Sequence, residues 1–276
     1  MKNISKMLCP VIAVALAFIC IFGIITFSVS FDSETATLNS KSPLTVIFTI
    51  LIVLAFVGIT ALAIILRRSE TQEINKKAKF VYISSAVAAA FMLSSFISDV
   101  VCIAGLDKAY SSIGIMRTVL SVAVCIYFAQ EALIGFKGIM LPTIVRQLLS
   151  ASTMLWALLG IFDVYFTTNK ALLSTSVFFN ALIIAYVVLS LFFVFDAERE
   201  FTKLKFSVLL ASSLIAALVS AALFGSVTVC VIIGTVPVSH IGISFCGYLS
   251  GLGIGVFALS RAFSLLKPFA SSEENE

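Results

Sequence analysis

Long apolar runs recur along the whole chain, separated by short polar stretches, and within each run the apolar residues fill every face of a helix instead of one stripe. A helix needs about 20 such residues to cross the hydrocarbon core of a bilayer. On that criterion the pattern predicts eight transmembrane helices over 7–30, 44–66, 80–104, 113–136, 144–167, 171–195, 206–233 and 239–264. The expected fold is an all-α polytopic membrane protein, a single integral membrane domain over 1–276, with loops too short to hold a soluble domain.

Composition agrees, since 61% of the residues are hydrophobic, 12% are charged and the mean hydropathy is +1.15. Charge adds the orientation. With the N-terminus inside, fourteen of the eighteen lysines and arginines fall in inner segments: Lys2, Lys6, Arg67, Arg68, Lys76, Lys77, Lys79, Lys137, Arg146, Arg199, Lys203, Lys205, Arg261 and Lys267. Lys41, Lys108 and Lys170 fall outside, and Arg117 lies within the outer end of the fourth span. The positive-inside rule then predicts a cell-membrane protein with both termini cytoplasmic. A secretory signal is the competing reading of the start, with Ser28-Val29-Ser30 as small residues at cleavage spacing, but the apolar run is longer than a signal's core. The net charge of +4 is what inner-loop lysines and arginines produce, so no nucleic-acid partner is called for. All six cysteines lie inside spans without a CxxC pair, as small packing residues would.

The two halves share features. Lys77-Ala78-Lys79-Phe80 leads into the third span and Lys203-Leu204-Lys205-Phe206 into the seventh; Ile113-Gly114-Ile115 and Ile241-Gly242-Ile243 open the fourth and eighth; AxxxxK closes both, at Ala132 to Lys137 and Ala262 to Lys267. Two parallel four-helix repeats, 1–139 and 140–276, about a twofold axis along the membrane normal are one explanation. The other is that Lys-x-Lys-aromatic commonly leads into a transmembrane helix. Gly247, Gly251 and Gly255 form a small-xxx-small face on the eighth span that would let another backbone approach.

Catalytic and metal-binding signatures are missing: there is no HExxH, GxSxG, phosphate-binding glycine loop or metal-ligand cluster, no motif calls for a cofactor, and the single histidine, His240, falls at the outer mouth of the eighth span. What stands out instead is charge within the spans. Asp99 interrupts FMLSSFISDVVCIAG, and Asp99, Arg117 and Asp163 all fall about 10 Å outward of the middle of their spans. Intramembrane charges usually face the bundle interior and pair. An Asp99–Arg117 pair in an outward-facing polar pocket is expected, with Asp163 as a third member if the fifth span packs beside them. Such a group is a helix-register staple, a ligand or ion site, or a set of side chains reaching for the interface. Glu131 and Arg261 fall at equivalent places when the AxxxxK segments are aligned, where they either pair or snorkel separately to the inner interface.

FDSETATLNSKSPLTVIF, residues 31–48, resembles a group of bacterial multi-span membrane proteins to which no activity is assigned, through its FDxET opening and the SPL start of the second span. Lys41-Ser42-Pro43-Leu44 and Ser98-Asp99 also resemble the Lys-Pro-Leu and Gly-Asp segments of the lysoplasmalogenase family, which likewise has eight spans. That likeness implies a catalytic carboxylate at Asp99. The seventh span lacks the matching aspartate and the fourth lacks the histidine, which weighs against an enzyme.

The preferred expectation is a small-molecule permease or the membrane subunit of a transport system, with the bilayer and, for driven transport, a separate ATPase chain or another membrane protein as partners. The alternatives are an intramembrane hydrolase of the lysoplasmalogenase type and a sensor or scaffold subunit. Topology is testable with reporters fused at residues 37, 72, 108 and 201: a periplasm-active reporter should work at 37 and 108, and activity at 72 or 201 would overturn the orientation.

Overall fold

The structure, a computed structural model, describes residues 2–32, 37–66, 79–104, 112–167, 176–201, 206–237 and 244–266. Eight helices follow in order: α1 Lys2–Ser30, α2 Pro43–Leu66, α3 Lys79–Ala104, α4 Ser112–Lys137, α5 Thr143–Thr167, α6 Val177–Phe201, α7 Phe206–Ile233 and α8 Phe245–Leu266. Each contains a segment long and apolar enough to cross a membrane. This is an all-α integral membrane fold. A two-residue antiparallel ladder, β1 Phe31–Asp32 with β2 Thr37–Leu38, closes the turn after α1.

The described parts of α6 and α8 each begin at a serine cap. The Ser176 hydroxyl accepts from the Phe179 N–H, and the Ser244 hydroxyl accepts from the Gly247 N–H at 3.1 Å. Residues 168–175 and 238–243 lie outside the described residues, as do His240 and the 67–78, 202–205 and 267–276 segments with their basic residues. Two glycines in the left-handed region end helices: Gly138 (φ 68) closes α4 and Gly234 (φ 84) closes α7.

Helices α3 to α8 form a ring in chain order, α3–α4–α5–α6–α7–α8, closed by α8 lying along α3. Helices α1 and α2 pack outside it, against α7. Burial follows this plan: 72% of the membrane-spanning window of α8 is buried and 67% of that of α7, but only 6% of that of α2.

The glycines of α8 do what small-residue spacing predicts. A Cβ on Gly251 would fall 2.5 Å from the Phe224 ring and one on Gly255 would fall 2.2 Å from Ser220 Cβ, so α7 sits directly on this face. Gly253, which the heptad-like spacing leaves out, brings α3 equally close, 3.1 Å from the Ala88 Cα. Opposite those glycines α7 widens into a π-helical turn over Ser220–Gly225. The carbonyl freed at Ala221 lies 3.3 Å from the Ser226 hydroxyl, which also reaches the Cys20 carbonyl of α1 at 3.1 Å. The wide turn is thus tied to the neighbouring helix.

The ring has a filled interior. One tier of edge-to-face aromatics runs Trp156–Tyr186–Phe224–Tyr248, with centroids 6.0, 5.9 and 5.7 Å apart, across α5 to α8. A second tier joins Phe128 of α4 to Phe193 of α6 at 6.2 Å and to Phe257 of α8 at 5.1 Å. The second tier joins helices that are not adjacent in the ring.

Candidate functional site: two arginine clusters inside the ring

One face of α4 supplies both halves of the site. Arg117, Ser121, Val124, Phe128 and Glu131 recur at helical spacing and turn into the ring, so a single stripe carries a cation near one membrane face and a carboxylate near the other. The end where α1 begins and α8 finishes is called proximal and the opposite end distal.

Distally, Arg117 sits about a turn and a half inside α4. Its Nη1 donates to Asp163 Oδ2 of α5 at 3.2 Å, and its Nη2 donates to the Tyr186 hydroxyl of α6. The planar guanidinium lies over Trp156 and Tyr186, 4.8 and 4.6 Å from the ring centroids. Trp156 is itself fixed by its indole N–H, which donates to Ser121 Oγ at 3.0 Å. Gly160 makes room for this arrangement, since a Cβ there would stand 2.7 Å from the Tyr186 ring.

The expected trio therefore shares one layer, but the direct pair is Arg117 with Asp163. Asp99 joins the cluster from α3 without a salt-bridge contact to Arg117; the α3–α4 contacts of Cys125 with the Ala89 carbonyl and of Gly135 with Tyr82 put it near the level of Arg117, with Asp163 and the Ser244 hydroxyl at the start of α8 among the groups around it. The α4–α5 packing explains the exchange of partners, because it brings Asp163 alongside Arg117.

Proximally, Glu131 and Arg261 are in contact inside the bundle, the Arg261 Nη2 donating to Glu131 Oε2, with both residues 7% exposed. They pair and do not snorkel. A third member, Asp196 of α6, was hidden in FDAEREF, a stretch whose acidic-basic character suggests a loop. It is 1% exposed, its Oδ1 lies 3.4 Å from Arg261 Nε, and its Oδ2 accepts from the Tyr127 hydroxyl at 2.7 Å. The 3.4 Å contact is an ion pair off hydrogen-bond geometry. Arg261 also lies 4.9 Å from the Phe257 centroid. Gln130, buried next to Glu131, has a side-chain nitrogen without a hydrogen-bond partner.

The two clusters are alike in kind. Each sets one arginine against two carboxylates, with an aromatic ring under the guanidinium and a tyrosine hydroxyl bonded to a charged member. Among the described residues no group of three or more histidines, cysteines and carboxylates is placed to hold a metal. None of the six cysteines forms a disulfide. Outside the ring, a cavity of about 520 Å³ opens between α2, α6 and α7, lined mostly by apolar side chains such as Phe56, Leu191 and Ile215.

Compared with protein-family models, with curated proteins and with solved structures, the chain matches none of them.

Removing one partner from a buried charge network leaves the others unpaired and costs about 3–5 kcal/mol. Arg261→Ala should therefore lower the thermal midpoint of the purified protein strongly, and Tyr127→Phe by much less. Because Arg261 serves two carboxylates, exchanging charges with Glu131→Arg and Arg261→Glu together should not restore stability, since the carboxylate at position 261 would face Asp196. Full rescue in the double variant would show that Asp196 has no part in the network.

Proposed function

We propose that this chain is a small-molecule permease, or the membrane subunit of a transport system, whose pathway runs through the six-helix ring. It sits in the cell membrane with both termini cytoplasmic. The observation that carries this reading is the pair of arginine–carboxylate clusters inside the ring, one toward each membrane face, with aromatic tiers between them. Packing alone does not call for them, since well-packed apolar side chains in place of a buried ion network are often as stable or more so. Ionisable groups kept within a membrane domain, facing the bundle interior, characteristically mark substrate or ion routes. In this reading the clusters are the polar stations and the aromatics between them the barrier a substrate displaces.

The positive-inside distribution supports the orientation. A scaffold role is less well supported, because the glycine face of α8 that would have offered a docking surface is already taken by α7 and α3. The hydrolase reading has one favouring observation, the approach of a second carboxylate, Asp163, to Asp99. Incubating the protein with lysoplasmalogen vesicles tests it: release of an aldehyde that Asp99→Asn abolishes would establish hydrolysis, and no release removes it.

Transport is tested by reconstituting the full chain into liposomes and incubating them with the small-molecule fraction of a bacterial lysate. The expected result is accumulation of at least one solute beyond protein-free liposomes, lost in Arg117→Ala. Contents identical to those of protein-free liposomes would contradict the reading.

A further inference from the structure

The distal cluster holds one cation and two carboxylates, and the geometry divides them unequally. Asp163 and the Tyr186 hydroxyl take the Nη1 and Nη2 donors of Arg117, and Trp156 and Tyr186 take its faces. Only Nε is left, buried and without an acceptor. Asp99 is the carboxylate that remains outside direct contact. The α3–α4 register set by Cys125 against the Ala89 carbonyl and Gly135 against Tyr82 puts it near the level of Arg117, and the charged or polar groups around it are Arg117 from α4, Asp163 from α5, Tyr186 from α6 and the neutral Ser244 hydroxyl from α8. Among the described residues no second cation meets it.

Two carboxylates that share one guanidinium in a weakly polar site repel each other, and the repulsion is relieved when one of them takes a proton. Asp163 is in direct contact with Arg117, and Asp99 is not. Asp99 lies about a turn and a half from the distal end of α3 and is half-buried, so the distal side is its nearer membrane face.

We propose that Asp99 is a proton-binding site whose occupancy decides how Arg117 is shared between α3 and α5. With Asp99 protonated, Arg117 rests on Asp163 and stacks on Trp156. When the Asp99 carboxyl releases its proton to distal water, its charge competes for Arg117 through the free Nε and draws the guanidinium toward α3, away from the indole. One proton is bound or released and no other bond changes. The site deepens the transport reading, on which its role as the entry point of a coupling proton rests.

Trp156 is the sole tryptophan of the chain and lies 4.8 Å from the guanidinium, so its fluorescence reports on this event without a label. The full-length protein in lipid nanodiscs is titrated between about pH 4 and pH 9 while Trp156 emission is recorded. Wild type should show one sigmoidal change; Asp99→Asn should lose it with unchanged circular dichroism; and Asp99→Glu, which moves the carboxyl by one methylene, should keep it at a displaced midpoint. Emission independent of pH in wild type, or a titration that survives Asp99→Asn, would overturn the proposal. If Asp99→Asn does not fold, a midpoint unchanged in Asp99→Glu overturns it equally. Titration without solute flux in the liposome assay would leave the proton site standing and remove its transport role, whereas flux without titration would remove the proton site.

Discussion

An arginine inside a membrane-spanning bundle has to keep its charge and has to be given anions, and the rest of this fold is arranged around two of them. Placing such a side chain at the centre of a bilayer costs roughly 2.5–3.5 kcal/mol even on the lenient insertion scale. The penalty is offset here only by bringing helices together: Arg117 requires α5 and α6 beside α4, and Arg261 requires α4 and α6 opposite α8. Those demands link α4, α5, α6 and α8 from both membrane faces. Apolar packing in lipid has no such directionality, because hydrocarbon tails are as apolar as leucine.

Once the charges fix which helices meet, small residues fix how closely. Gly160 lies under Tyr186, which holds Arg117, and Gly251 and Gly255 accept Phe224 and Ser220 of α7. Between the charge layers the aromatic tiers fill the ring, most rings meeting their neighbours edge to face. The π turn of α7 belongs to the same region, where α1, α7 and α8 are in contact. Helices α1 and α2 supply no member of either charge cluster, and their exposed membrane-spanning surfaces are predominantly apolar, as lipid contact requires.

The eight helices were legible in the sequence because a membrane span is a property of a run of residues, and the apolar runs are long. Caps were not legible: hydropathy says nothing of the Ser176 hydroxyl that accepts from the Phe179 N–H. The layer shared by Asp99, Arg117 and Asp163 followed from depth alone, but depth does not choose between carboxylates, and neighbour order does. Asp196 was concealed by FDAEREF, whose charges look like a loop. Helical spacing could have found it, because Asp196 continues the stripe of Tyr186, Leu189 and Phe193 into the ring, whereas Glu198 turns away.

The central claim is that α3 to α8 close into a ring with the charges inside, and the contact that closes it is α3 on α8, where Ser84 Oγ and Ser260 Oγ lie 2.6 Å apart. In a variant with the six native cysteines replaced, Ser84→Cys and Ser260→Cys together should form an intramolecular disulfide on mild oxidation in intact membranes. A protease site placed in the segment 202–205 would then yield two fragments that stay joined until reduced. Fragments that separate without reduction, from protein that remains folded in the membrane, would contradict the ring.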